Sequence, residues 1–271
     1  MPTEILLMIM DCLPSIHVLY SFFGTSKRYH QIIQRYMREI NLTDADPCIT
    51  EFFCTILLPS IRLNIQSLIL NDIETFEKIF SFRSESITQL FPHLKHFEIV
   101  KRFDISRLFM YSIQSFRLLF SLKLEIVNLK SDEMFKAILF CDQSMITVLN
   151  IKCRESILHL QNQPYNLSLT IRKLTVTLGF YDDFLHLLNH MPVIEYVDVT
   201  VDKIDDREDL NMSNKFHYLT EFYFILLRMT TKYSRINSLL SLCRKLERLS
   251  VNICSNCQEF IDGYYLTRKS V

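Results

Sequence analysis

Glycine is scarce in this chain: only Gly24, Gly179 and Gly263 occur among 271 residues, and tryptophan is absent. Phosphate-binding loops need several closely spaced glycines, which let the backbone approach the phosphate groups. Since the three glycines lie far apart, they can form neither a dinucleotide-binding fingerprint nor a P-loop. The sequence therefore excludes nucleotide-binding sites of these two kinds.

An excess of charge of either sign is also missing. Thirty basic residues balance thirty acidic ones, so the composition gives no electrostatic reason to expect nucleic acid or an anionic membrane surface as a partner. No uncharged apolar run reaches the length of about 18 residues that indicates a membrane span. Glu4 and Asp11 interrupt the apolar N-terminus, where a signal peptide would have an unbroken apolar core. We expect no membrane association and a location in the cytoplasm or the nucleus.

The cysteines and histidines lack the spacing of a metal or catalytic site. Cys254 and Cys257 form the one CxxC pair of the sequence, which supplies half of the ligands that a structural zinc site needs. His186 and His190 stand at i and i+4 with no carboxylate between them. No serine, cysteine or histidine stands in a recognisable nucleophile motif. We therefore expect no metal, no cofactor and no enzymatic activity.

One apolar pattern recurs along the chain at a nearly constant interval. It consists of an apolar residue, two variable residues, an apolar residue, one variable residue and an apolar residue, as in Ile146-Leu149-Ile151. The central residues of the eight copies are Leu68, Phe97, Leu122, Leu149, Leu174, Val197, Phe222 and Leu249. Their intervals run from 23 residues (Leu174 to Val197) to 29 residues (Leu68 to Phe97). Such a period is typical of proteins built from stacked supersecondary units.

Each unit is predicted to hold one strand and one helix. The alternating apolar residues predict a short strand with one buried face. Apolar residues at helical spacing, preceded by serine or acidic residues, follow in SDEMFKAILF, DDFLHLLNHMP and SRINSLLSLCRKL. One unit cannot bury its apolar face alone, so we expect neighbouring units to stack, with parallel strands in one curved sheet and helices outside.

The pattern and its period resemble a leucine-rich-repeat solenoid. The family usually places asparagine or cysteine three residues after the last core position, and here only Cys254 of the last unit fits that place. The resemblance implies an α/β fold whose exposed strand positions bind another protein. The alternative is a generic α/β domain with alternating strands and helices.

Three short amphipathic helices are predicted within residues 1–40. Pro14-Ser15 and Gly24-Thr25-Ser26 divide this stretch, because proline and glycine end helices and serine caps their N-termini. A module this small cannot enclose so many apolar side chains. Part of its apolar surface is therefore expected to contact a partner.

The order of residues in this stretch resembles the F-box, whose family pattern is roughly L-P-x-E-I-L-x-x-I-x-x-x-L-x-x-x-x-L-x-x-h-x-x-V-S-K-R-h. The matching positions are Pro2, Glu4, Ile5, Leu6, Ile9, Leu13, Val18, Leu19, Ser26, Lys27 and Arg28. The resemblance implies that the module binds a Skp-family adaptor and, through it, a cullin-RING ubiquitin ligase. It also implies that the adaptor contacts are made or supported by Pro2, Ile5, Leu6, Ile9, Leu13, Val18 and Leu19.

Together these patterns predict an α/β protein with a three-helix F-box at residues 1–40 and a leucine-rich-repeat-like substrate-recognition domain at residues 41–271. The expected function is that of a non-catalytic substrate-recognition subunit of a Skp-cullin-F-box ubiquitin ligase. The alternative is a repeat scaffold for protein interactions without any link to a ligase. Substrate contacts are predicted on one row of the sheet, at Glu98, Lys123, Asn150, Thr175, Asp198, Tyr223 and Ser250. The alternative for that row is an ordinary solvated sheet face.

Overall fold

A computed structural model describes residues 2–81, 87–103, 109, 118–126, 145–153, 167–204, 216–229 and 234–253. Within these ranges the strands are β1 (Glu39–Asn41), β2 (Ser67–Leu70), β3 (His96–Phe103), β4 (Ser121–Ile126), β5 (Val148–Cys153), β6 (Lys173–Phe180), β7 (Tyr196–Ile204), β8 (Glu221–Met229) and β9 (Arg248–Ile253). They form one nine-stranded sheet in chain order, and every neighbouring pair is parallel. The predicted α/β class with a parallel sheet is therefore confirmed.

The helices of the described ranges are concentrated at the N-terminus and between strands. They are α1 (Thr3–Asp11), α2 (Ser15–Phe22), α3 (Lys27–Tyr36), α4 (Pro47–Phe52), α5 (Leu58–Ile61), α6 (Ile73–Ser81), α7 (Ile87–Leu90), α8 (Tyr181–Asn189) and α9 (Ser234–Leu242). A π-helical turn at Phe53–Leu57 joins α4 to α5, and a 3₁₀ turn follows at Arg62–Asn64. None of these helices is long and apolar enough to cross a membrane.

The register of the sheet aligns the recurring apolar pattern. The central residues of neighbouring units lie directly opposite each other, from Leu68 and Phe97 to Phe222 and Leu249. Parallel strands lie about 4.8 Å apart, so these side chains form one continuous row. From Leu68 to Phe222, every member of this row is at most 2 % exposed. The predicted register and the predicted buried face are confirmed for these strands.

The last member of this row is an exception. The sequence pattern predicts that Leu249 is buried, but it is 38 % exposed. Its strand, β9, is the final strand of the sheet in the described ranges, so a neighbouring strand covers Leu249 on one side only. The prediction of burial was wrong here because the pattern of one unit does not indicate how many neighbouring strands cover it.

Two of the three predicted inter-strand helices lie within the described residues, and both are present. Helix α8 places Asp182 and Asp183 in its first turn, where negative charge stabilises the positive end of the helix dipole. Its apolar side packs on β6 and β7. Helix α9 buries Ile236 and Leu239. The third predicted helix, SDEMFKAILF at 131–140, lies outside the described residues.

The breaks predicted near the N-terminus separate the three helices α1, α2 and α3. Gly24 has a φ angle of 78°, a conformation that a glycine adopts without the steric cost of a side chain. The Ser26 side chain accepts a hydrogen bond from the Tyr29 backbone N–H at 3.2 Å, which caps the N-terminus of α3. Helix α2 packs against both α1 and α3.

Strand β1 was not predicted from the sequence pattern. It pairs with β2 through Glu39 opposite Ser67, Ile40 opposite Leu68 and Asn41 opposite Ile69. The domain boundary predicted at residue 40 therefore falls inside a strand of the sheet. Helix α2 contacts β1, so the helices pack directly on the first strand.

Candidate functional site

The apolar residues of α1 and α2 are divided between the core and the surface. Leu6, Val18 and Leu19 are at most 1 % exposed, and they pack inside the molecule. By contrast, Ile5, Ile9 and Leu13 are 48 %, 39 % and 41 % exposed. The predicted adaptor residues therefore fall into a buried group that supports the helices and a group open to solvent, to which Pro2 also belongs.

Three exposed apolar residues of α1, together with Leu13 just beyond its C-terminal end, form an apolar surface, which we call the α1 surface: Ile5, Met8, Ile9 and Leu13. Ile5 and Ile9 are four residues apart, so they lie on the same side of the helix. Met8, which the sequence analysis did not select, is 68 % exposed and lies three residues after Ile5. The helical spacing between Ile5 and Met8 was the feature of the sequence that could have identified it.

Contacts between the three helices hold the α1 surface in place. The Arg28 guanidinium donates a hydrogen bond to the Thr3 hydroxyl at 3.0 Å, which joins the start of α3 to the start of α1. The rings of Phe22 and Tyr29 pack edge to face, with centroids 5.8 Å apart. Because α1 is held by its neighbours, its exposed residues keep a defined arrangement.

A cavity of about 440 Å³ lies between α1, α3 and β1. Its walls are mainly apolar and include Met10, Ile32 and Met37, while Arg38 and Glu39 supply polar groups at its β1 side. Leu13 belongs both to this cavity and to the α1 surface. The sequence pattern gave no sign of this cavity, because its walls come from three separate elements.

The second candidate surface is the face of the sheet opposite α6 and α8, which we call the open face. Residues at alternate positions of the strands lie on it, and the seven predicted substrate residues, which occupy such positions, are all partly or fully exposed. The predicted substrate residues Glu98, Lys123, Asn150, Thr175, Asp198, Tyr223 and Ser250 lie opposite one another on successive strands. The structure therefore brings all seven into one row.

Ion pairs between neighbouring strands neutralise several charges along the sheet. The Lys123 ammonium lies 2.6 Å from a Glu98 carboxylate oxygen. The Arg228 guanidinium contacts both carboxylate oxygens of Asp202, at 2.6 and 2.9 Å. Two further pairs of the same kind join Arg172 to Glu195 and Arg248 to Glu221. Asp198 makes no such pair with any described residue.

Two tyrosine rings lie beside the Asp198 carboxylate, and we call these three residues the Tyr-Asp cluster: Tyr196, Asp198 and Tyr223. The ring centroids of Tyr196 and Tyr223 are 5.6 Å apart, with the ring planes inclined at 41°. Asp198 lies opposite Tyr223 in the sheet register. The Tyr223 hydroxyl donates a hydrogen bond to the Glu221 carboxylate at 3.3 Å, which orients the second ring.

The electrostatic environment of this cluster is negative. Burial raises the pKa of Tyr196, and the neighbouring Asp198, Tyr223 and Glu221 raise it further, while Arg248 opposes them. Burial is the largest cause, and the nearby Asp198 carboxylate adds to it because negative charge disfavours the tyrosinate. Tyr196 was not among the predicted site residues. Its position two residues before Asp198, on the same face of β7, was the available signal.

The described residues contain no cluster of three or more histidine, cysteine or acidic side chains arranged to hold a metal ion. Cys254 and Cys257 lie outside the described residues. The rings of His186 on α8 and of His190, which caps the C-terminus of that helix, are neighbours with centroids 4.7 Å apart. The His190 Nδ1 atom lies 2.8 Å from the carbonyl oxygen of His186, so this ring is engaged within its own helix.

No protein-family model matches this chain, and no curated protein matches it either. The α1 surface and the open face are therefore the features of the molecule that indicate its function.

Proposed function

We propose that this protein is the substrate-recognition subunit of a Skp-cullin-F-box ubiquitin ligase. In this proposal the α1 surface binds a Skp-family adaptor, which links the chain to a cullin-RING ligase, and the open face binds the protein to be ubiquitylated. The observation that carries the proposal is the α1 surface, since Ile5, Ile9 and Leu13 match the F-box pattern and are also exposed.

Exposure of these apolar side chains to water is unfavourable in free energy, and a partner that covers them would remove this penalty. Burying apolar surface stabilises a complex by roughly 25 cal/mol per Å². A contiguous apolar surface, unlike a single exposed residue, marks an interaction site in a soluble protein. The only acidic or basic side chains within α1 are Glu4 and Asp11 at its two ends, so its centre carries no charge that would oppose burial.

The sheet supports the second half of the proposal. Its strands follow one another in chain order, and we take it to be a leucine-rich-repeat-like solenoid whose open face is the concave side. The open face carries charges of both signs, with several already paired between strands. A surface with mixed charges and tyrosine rings suits a protein partner better than a polyanion.

The test is co-purification of the full chain with a Skp-family adaptor. Changing Ile5 and Ile9 together to Asp should abolish the complex, because each carboxylate would be buried against the adaptor without a partner. Leu6 is unsuitable for this purpose, since it is buried and an aspartate there would destabilise the helices whether or not an adaptor binds. The matched control is Ile56→Asp with Leu63→Asp, two exposed apolar residues on the turns beside α5.

The control variant should bind the adaptor as the wild type does, and both variants should keep the melting temperature of the wild type within a few degrees. If the folded wild-type chain binds no adaptor at micromolar concentration, the proposal is wrong. The alternative, a repeat scaffold without a ligase, would then be favoured.

A further inference from the structure

The Tyr-Asp cluster has the chemistry of a binding site for a cation. Aromatic faces attract ammonium and guanidinium groups through their quadrupole. The two ring centroids are 5.6 Å apart. Asp198 lies opposite Tyr223 in the register and two residues from Tyr196, and no described residue neutralises its carboxylate. The other carboxylate beside the rings, that of Glu221, is already paired with Arg248 and accepts the Tyr223 hydroxyl.

The charges around the cluster act in the same direction. Burial raises the pKa of the Tyr196 hydroxyl, and the Asp198 carboxylate two residues along the strand raises it further. Lys173 lies opposite Tyr196 on β6. It is exposed, so solvent and salt screen its charge.

The shape of the site favours a side chain of a protein over a free small molecule. Tyr196, Asp198 and Tyr223 are all half-buried in an open sheet face, whereas pockets for small ligands enclose most of their ligand. A long side chain that projects from a partner protein needs only such a shallow site, because the rest of its binding surface lies elsewhere on the partner.

We propose that the Tyr-Asp cluster binds a lysine or arginine side chain in a basic segment of the partner protein. The carboxylate of Asp198 pairs with the cationic group, and the rings of Tyr196 and Tyr223 pack on it. Naming that partner as the protein to be ubiquitylated rests on the function proposed above. The binding chemistry itself does not depend on the adaptor.

The experiment measures fluorescence anisotropy of two labelled peptides with the full chain. The first is a glycine- and serine-rich peptide with alternating lysine and arginine at its centre, and the second has glutamine in place of each basic residue. We expect the basic peptide to bind at least tenfold more tightly. Its affinity should fall as salt is raised, because an exposed charge pair is screened.

Three variants separate the roles of the cluster. Asp198→Asn keeps the shape of the side chain and should lower the affinity for the basic peptide at least tenfold. Tyr223→Ala should lower this affinity several-fold, while Tyr223→Phe, which keeps the ring, should bind the peptide nearly as tightly as the wild type does. Glu125→Gln is the matched control, since it removes one carboxylate from β4 on the same face and should leave the affinity unchanged.

Equal binding of the two peptides, or no binding of the basic peptide to folded wild-type chain, would overturn the inference. A loss as large for Glu125→Gln as for Asp198→Asn would also overturn it, since the effect would then be one of overall charge. Adaptor co-purification measured on the same samples keeps the two proposals apart. Asp198→Asn should retain the adaptor, and the Ile5→Asp, Ile9→Asp chain should retain the peptide.

Discussion

The N-terminal helices and the parallel sheet bury their apolar residues by different means. In the sheet, a buried residue such as Leu149 lies between equivalent residues of the two neighbouring strands, Leu122 and Leu174. Successive units therefore cover one another's apolar side chains. In the helices, Leu6 is covered by its neighbours while Ile5 and Ile9 on the same helix are not. A repeated unit therefore completes its core with its own copies, whereas the small helical module is left with apolar side chains exposed to solvent.

The largest effect that tests this comparison is expected within the sheet. Leu149→Ala should lower the free energy of unfolding by about 2–5 kcal/mol, because it leaves a cavity inside a continuous apolar row. The control is its neighbour Asn150, whose side-chain oxygen accepts no hydrogen bond within the described residues. Asn150→Ala should change the free energy by no more than about 0.5 kcal/mol. Chemical denaturation of both variants provides the measurement, and equal losses would show that the alternation of faces is misassigned.

A somewhat smaller effect is expected in the helices. Leu6→Ala should lower the free energy of unfolding by about 2 kcal/mol. This is the lower end of the range for a buried leucine, because three short helices can relax around the gap. Ile9→Ala, on the exposed side of the same helix, should cost less than about 0.5 kcal/mol. Thermal and chemical unfolding of the two variants would measure the difference. If Ile9→Ala is as costly as Leu6→Ala in the absence of any partner, the α1 surface is part of the core and the comparison fails.

The smallest effect is expected on the open face. Lys123→Ala removes an ion pair with Glu98 in which the lysine side chain is 53 % exposed, and such exposed pairs contribute less than about 1 kcal/mol. We expect a loss of that size or less, and we expect high salt to reduce it further. A loss comparable to that of Leu149→Ala would mean that the open face is packed against something and is not a free surface. Chemical denaturation at low and high salt would distinguish these outcomes.

Much of this organisation could be predicted from the sequence because it is local. The alternating apolar residues around Leu122 and Leu149 specify strands with one buried face, whatever their partners are. The break at Gly24 and the cap at Ser26 specify the start of α3 through backbone and side-chain hydrogen bonding within a few residues. These features do not depend on distant parts of the chain, so the predictions agree with the structure.

Other features had no local signal. Strand β1 has three residues and a single buried one, Ile40, which is too short for any periodicity to appear. The π-helical turn at Phe53–Leu57 depends on a hydrogen-bonding pattern that residue preferences do not indicate. The exposure of Leu249 follows from its place at the end of the sheet, and the pattern of its own unit matches that of the buried units.

The sequence by itself determined the period of the strands, the faces that each strand buries and the three N-terminal helices, because these follow from local spacing and backbone preference. The period also predicted which residues stand opposite each other, but only the tertiary structure decided which side chains make contact. Tyr196 and Tyr223 lie on different strands, and their contact beside Asp198 depends on the register of β7 and β8. That register is set by how each unit packs on the next. Separately, the packing of α1 on its neighbouring helix buries Leu6 and leaves Ile9 exposed. The physical reason is that burial is a property of the assembled neighbours, while a sequence pattern describes one element at a time.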